Sequence, residues 1–103
     1  MNTIKFIKGR FTPEDAKEIL LDVISRKINF HNLKDFSSHI RFNKPDVDSR
    51  SRVEELKAAR ELILAITEEA VALNSNLIVE STINIMLEAK DQPKGIFPEV
   101  ADC

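Results

Sequence analysis

Strand-like patterning occurs at two places in this 103-residue chain, one near each end, and helical patterning fills the interval between them. Residues 3–8 alternate apolar side chains with lysines, which is typical of a strand with one buried face, here formed by Ile4 and Phe6. Residues 77–87 alternate in the same way, and one face of this second strand carries Leu77, Val79, Ile83, Ile85 and Leu87. Two strands alone are marginal in water, so the sheet needs a helical layer or additional strands.

The first helical segment has a clear start. Thr12 is a favourable N-cap, Pro13 fits the first helical position, and two acidic residues follow in the first turn, where they face the positive end of the helix dipole. Apolar residues then recur at intervals of three and four from Ala16 onwards. This pattern predicts an amphipathic helix.

The end of this helix is open to two interpretations. Leu33, Phe36 and Ile40 form a second apolar stripe, rotated by about 100–130° from the first at ideal helical geometry. Either the helix breaks near Asn29–Asn32 and a second segment follows, or it continues and changes its packing partner along its length. Pro45 ends the helical region in both cases, because proline disfavours helix at the residue before it.

A second long helix is predicted from Ser51 to Leu73. Ser51 and Glu54 have the spacing of a capping box. A main apolar stripe runs along this helix, and a thinner stripe of Val53, Leu64 and Val71 lies beside its charged face. One antiparallel neighbour cannot cover both stripes.

These elements predict a single α+β domain over residues 1–90, with an extended tail over residues 91–103. The domain consists of an N-terminal strand, a long helical hairpin and a C-terminal strand, and we expect a second copy to complete the small sheet. The predicted interface contains the thinner stripe and an apolar residue of the tail: Val53, Leu64, Val71 and Phe97. The alternative is a monomer whose own sheet covers the spare stripe.

The charge distribution also favours self-association. Residues 26–60 contain nine Lys/Arg against five Asp/Glu, a net charge of +4, whereas residues 61–103 contain two against eight, a net charge of −6. Two copies in antiparallel orientation can therefore place regions of opposite sign together.

One candidate site lies in the segment after Phe30. His31, Asp35 and His39 are spaced at four-residue intervals, so a continuous helix places them along one ridge, where imidazole and carboxylate groups can share a divalent ion. The alternative is that they occupy a solvated helix face and pair with each other. No recognised zinc-binding spacing such as His-Glu-x-x-His is present.

A second candidate site is basic. Four cationic residues cluster around the predicted start of the second helix, where unpaired N–H groups favour a phosphate or carboxylate: Arg41, Lys44, Arg50 and Arg52. Asp46 and Asp48 lie in the same segment and can neutralise them. The chain has no glycine-rich phosphate loop and no Trp or Tyr to stack on bases, which argues against nucleic acid as the partner.

The composition restricts the class of protein further. The apolar runs are far shorter than the ~20 residues that a transmembrane helix needs, and no secretory signal is visible. A single cysteine, Cys103, indicates a reducing compartment and hence a cytoplasmic location. We expect a non-catalytic interaction or regulatory module that acts as a homodimer and needs no cofactor. The alternatives are a small-ligand or metal-binding protein, or an enzyme, that uses the histidine ridge, and an anion-binding or nucleic-acid-binding protein that uses the basic cluster.

Overall fold

The structure is a computed structural model that describes residues 2–90 of the chain. Its elements are β1 (Asn2–Phe11), α1 (Pro13–Phe42), α2 (Val47–Ala72) and β2 (Leu77–Ile85). The two helices pack as a hairpin, and the two strands pair antiparallel. The predicted α+β class and the order of strand, helical hairpin and strand are confirmed. The predicted tail, with Phe97 and Cys103, lies outside the described residues.

Helix α1 is continuous over 30 residues and passes through Asn29–Asn32 without a break. Of the two interpretations of this segment, the continuous helix with a changing environment is the one observed. The Thr12 side chain caps the helix by accepting a 3.2 Å hydrogen bond from the N–H of Asp15. At the other end, Asn43 adopts a left-handed conformation with φ of 55°, which asparagine tolerates better than most residues, and its N–H bonds to the carbonyl of His39.

Helix α2 begins at Val47 and not at Ser51, so the predicted capping box does not form its start. The cap is Asp46, whose carboxylate accepts a 2.9 Å hydrogen bond from the N–H of Ser49. Aspartate is among the best N-cap residues, and Pro45 before it ends the preceding loop. The four residues between the helices are enough to reverse the chain, and Ser51 lies inside the helix.

The two strands pair along their whole length. Phe11 pairs with Leu77 next to the helices, and Asn2 pairs with Ile85 at the far end. The register shifts between Lys5 and Ile7, which leaves Phe6 as the extra residue of a bulge. As a result Ile7 continues the face that carries Ile4, and the predicted face of Ile4 and Phe6 is wrong on this point.

The sheet has one apolar and one polar face, because directly opposed residues project to the same side. The polar face carries the opposed pair Lys8 and Glu80, and the hydroxyl of Thr3 donates a 3.0 Å hydrogen bond to the side-chain oxygen of Asn84. The apolar face carries seven residues: Ile4, Ile7, Phe11, Leu77, Val79, Ile83 and Ile85. The predicted alternation is confirmed for Leu77, Val79, Ile83 and Ile85, whereas Leu87 lies beyond the end of β2.

Sheet and hairpin form two arms with little contact between them. A 30-residue helix is about 45 Å long, and a ten-residue strand adds about 33 Å. The greatest extent of the molecule is only 51 Å, so the sheet leaves the base of the hairpin at a large angle. The radius of gyration is 17.1 Å, against about 13 Å for a compact domain of this length.

The buried core is small and lies in the hairpin. Within residues 2–90 the buried apolar residues are Ala16, Val53, Leu56 and Ala70. The strands contribute none of them, because no layer covers the apolar face of the sheet. Ile4 is 49% exposed and Ile85 is 47% exposed.

Candidate functional site

A polar cluster connects α1 to the first turn of α2. It comprises His31, Asp35, His39, Asp46, Ser49 and Arg50. Nδ1 of His31 lies 3.3 Å from the hydroxyl oxygen of Ser49, and both residues are fully buried. A serine hydroxyl against an imidazole is also the contact of a nucleophile and its base. In this protein the contact lies inside the helix interface, where a substrate has no access.

Asp35 forms the centre of the polar cluster. Its carboxylate accepts a 2.7 Å hydrogen bond from the N–H of Asp46 and bonds of 3.1 and 3.2 Å from Nε of Arg50. Burial raises the pKa of the Asp35 carboxyl, but the bonds from Asp46 and Arg50 and the charges of Arg50 and His39 outweigh burial and lower it overall. It is therefore the charged form of the Asp35 carboxylate that binds the start of α2.

His39 completes the polar cluster. Its Nε2 lies 2.8 Å from Nη2 of Arg50. A guanidinium can only donate, so Nε2 of His39 is the acceptor of this contact. His31, Asp35 and His39 thus share one side of α1, as predicted, and this side faces α2. Asp35 and His39 both contact Arg50, whereas His31 contacts Ser49.

These positions bear on both predicted sites. Within residues 2–90 no group of three or more His, Cys, Asp and Glu side chains is arranged to hold a metal ion. Of the predicted basic cluster, Arg50 is engaged by Asp35, and Arg52 pairs with Glu55 at 2.5 Å on its own helix. Arg41 lies in the last turn of α1 and Lys44 in the loop, both exposed.

The polar cluster also sets the axial position of the helices. Because α2 begins beside Asp35, the last two turns of α1 project beyond α2. Side chains in this overhang are strongly exposed: Phe36 by 63%, Ile40 by 71% and Phe42 by 65%. The second stripe seen in the sequence, Leu33, Phe36 and Ile40, thus lies on the surface, on the side of α1 away from α2.

A larger apolar surface runs along one side of the hairpin. The side chain of Phe30 points about 100° away from that of His31 around the axis of α1. The side chain of Ile66 points about 100° away from that of Ser49 around the axis of α2, in the same direction relative to the course of the chain. His31 faces Ser49 and the helices are antiparallel, so both side chains point to the same side of the hairpin. We call this surface the apolar flank, and its residues are Ile19, Val23, Phe30, Leu62, Ile66 and Leu73.

The exposed fractions of the apolar flank are high for side chains of this kind. Phe30 is 51% exposed, Leu62 61%, Ile66 42% and Leu73 65%. Their spacing in the sequence predicts that these residues belong to the main apolar stripe of each helix. The structure shows that the contact between α1 and α2 covers only part of each stripe.

The predicted interface stripe on α2 is divided by the structure. Val53 is 6% exposed and packs inside the hairpin, because it lies on the side of α2 that faces α1. Leu64 is half-buried and Val71 is 57% exposed. Val71 is thus the accessible member of that stripe.

Two of the depressions on the described surface are shallow. One, of about 110 Å³, lies on the sheet and is lined by residues that include Lys8 and Glu80. The other, of about 250 Å³, lies at the base of the hairpin beside Thr12 and Asn74. Both are smaller than the roughly 300–1,000 Å³ typical of small-molecule pockets.

Within residues 2–90, neither helix contains a stretch long and apolar enough to cross a membrane. Comparisons of the chain with protein-family models, with curated protein sequences and with solved structures found no match.

Proposed function

We propose that this chain is a non-catalytic interaction module that acts as a homodimer. The observation that carries the proposal is the amount of apolar surface left uncovered when the chain folds alone. Large apolar side chains remain exposed on the apolar flank, on the apolar face of the sheet and on the overhang of α1, for example Leu62, Ile4 and Phe36, while the buried core of residues 2–90 is confined to the hairpin. Exposed apolar patches of this size are typical of surfaces that bind another protein.

The charged groups of the polar cluster support a structural role for the histidine ridge. Asp35, His39 and Arg50 satisfy one another and the N–H of Asp46. Ser49 and His31 are closed off from solvent. We therefore place the function on the apolar surfaces and assign the polar cluster to holding the hairpin together.

The proposal is tested by light scattering on chromatographed protein, with two variants matched in chemistry. Leu62→Lys places a charge on the apolar flank at a side chain that is already 61% exposed, so the hairpin itself remains intact. Ile78→Lys places the same charge at a side chain that is 74% exposed on the polar face of the sheet. We expect wild type and Ile78→Lys to have the mass of a dimer and Leu62→Lys that of a monomer. A wild type with the mass of one chain would overturn the proposal.

A further inference from the structure

The hairpin is electrically polarised along its length. The half nearest the interhelical loop, residues 26–60, has a net charge of +4. The half nearest the sheet combines residues 13–25, with one Lys against four acids, and residues 61–76, with no Lys or Arg against three acids, and has a net charge of −6. The two helices change sign within about 9 Å of each other along the hairpin, because residue 26 of α1 lies beside residue 54 of α2 when His31 faces Ser49, six residues from the change at residue 60.

Such a charge distribution complements itself in one orientation. Two hairpins side by side in parallel would place like charges together, which opposes association. In antiparallel orientation the basic half of each lies against the acidic half of the other. A two-fold axis produces this arrangement with the same surface on both copies.

The apolar flank is placed to form the contact. Leu62 and Val23 lie near the level at which the charge changes sign. Ile66 and Ile19 lie nearer the sheet, and Phe30 lies nearer the interhelical loop. A two-fold axis near Leu62 therefore brings two apolar flanks together over the middle of both hairpins. Four helices packed in this way, at about 20° to one another, form a four-helix bundle.

From these relationships we infer that the occupant of the apolar flank is a second copy of the chain, with the two hairpins antiparallel about a two-fold axis near Leu62. The inference rests on the proposed homodimer and specifies its geometry. It identifies the partner by charge complementarity.

Distances between spin labels on the two copies test this geometry. Cys103→Ser removes the native thiol, and single cysteines are then introduced at three exposed positions on the outer side of α2: Ser51, Ala58 and Ala72. With the axis near Leu62, the two labels at Ser51, and likewise those at Ala72, are separated by about 30 Å along the bundle, whereas those at Ala58 are separated by about 10 Å. We expect the label distance at Ala58 to be shorter than at both outer positions.

The outcomes separate the inference from the proposal beneath it. Equal distances at all three positions would mean parallel hairpins and would overturn the inference while the homodimer stands. Absence of any distance between copies, in protein that light scattering shows to be monomeric, would overturn both. The Leu62→Lys change in the Ala58→Cys background is the control, and it should abolish the short distance.

Discussion

The carboxylate of Asp35 in α1 accepts a 2.7 Å hydrogen bond from the N–H of Asp46, the residue that caps α2. This bond joins the C-terminal third of α1 to the N-cap residue of α2 and so fixes where α2 begins along α1. The overhang of α1 follows from it, because the seven residues of α1 after Asp35 extend past the start of α2. A polar contact thus sets the length of α1 that projects beyond α2.

We expect Asp35→Asn to lower the melting temperature by several degrees. The amide keeps an oxygen for the N–H of Asp46 but loses the charge that pairs with Arg50. The matched control is Asp22→Asn, which removes an exposed i,i+4 pair with Arg26 on the same helix and should change the melting temperature little. Equal losses of melting temperature in the two variants would show that Asp35 stabilises the fold no more than an ordinary surface charge does.

The contribution of Asp35 should depend on pH in a defined direction. Its pKa in the folded protein is lowered from the ordinary value of 3.8, so the unfolded chain binds the proton more readily. The stabilisation is therefore fully present above that value and is lost as the pH falls through the lower pKa of the folded state. Thermal unfolding of wild type and Asp35→Asn should differ at neutral pH, and the difference should shrink as the pH falls below 3.8. A difference that persists in strong acid would contradict this assignment.

Ser49→Ala should reduce the free energy of unfolding by about 1–3 kcal/mol, since it removes a buried hydroxyl from its contact with the His31 ring. Ser51→Ala is the control, because Ser51 is exposed two residues further along the same helix. Chemical denaturation at a fixed protein concentration measures both, since dimer formation makes stability depend on concentration. A Ser51→Ala effect as large as that of Ser49→Ala would remove the special role of the buried pair.

Phe30→Ala should weaken the dimer at least about tenfold, because a large aromatic side chain that becomes buried in an interface is typical of a binding hot spot. In the single chain Phe30 is 51% exposed and packs edge-on against His31, with 5.1 Å between the centroids of the two rings. Ile78→Ala, on the polar face of the sheet, should leave the dissociation constant unchanged. Dilution monitored by fluorescence anisotropy of labelled protein gives the dissociation constants of both variants. Equal dissociation constants for Phe30→Ala and Ile78→Ala would show that the interface does not include Phe30.

The sequence predicted the elements better than it predicted their environment. Period-two alternation located both strands, and Thr12 and Pro13 located the start of α1. The capping-box spacing of Ser51 and Glu54 predicts a start of α2 that is four residues too late, because Asp46, a favourable N-cap, begins the helix. The bulge at Phe6 has no signature in local alternation, because it depends on the register with β2.

The candidate site was predictable in composition but not in geometry. The spacing of His31, Asp35 and His39 correctly implies one ridge once the helix is continuous. Nothing in that spacing shows whether the ridge faces water or α2, since this depends on the loop length and on the cap at Asp46. The exposure of Phe30 and Leu62 was hidden for a related reason, because an apolar stripe looks the same whether its cover comes from this chain or from another.

Sedimentation equilibrium of the wild-type chain over a range of micromolar concentrations tests the homodimer most directly. We predict a single species with twice the 11.7 kDa mass of one chain, without dissociation across that range. A single species of 11.7 kDa at every concentration would contradict the account, because the exposed apolar flank would then belong to a stable monomer.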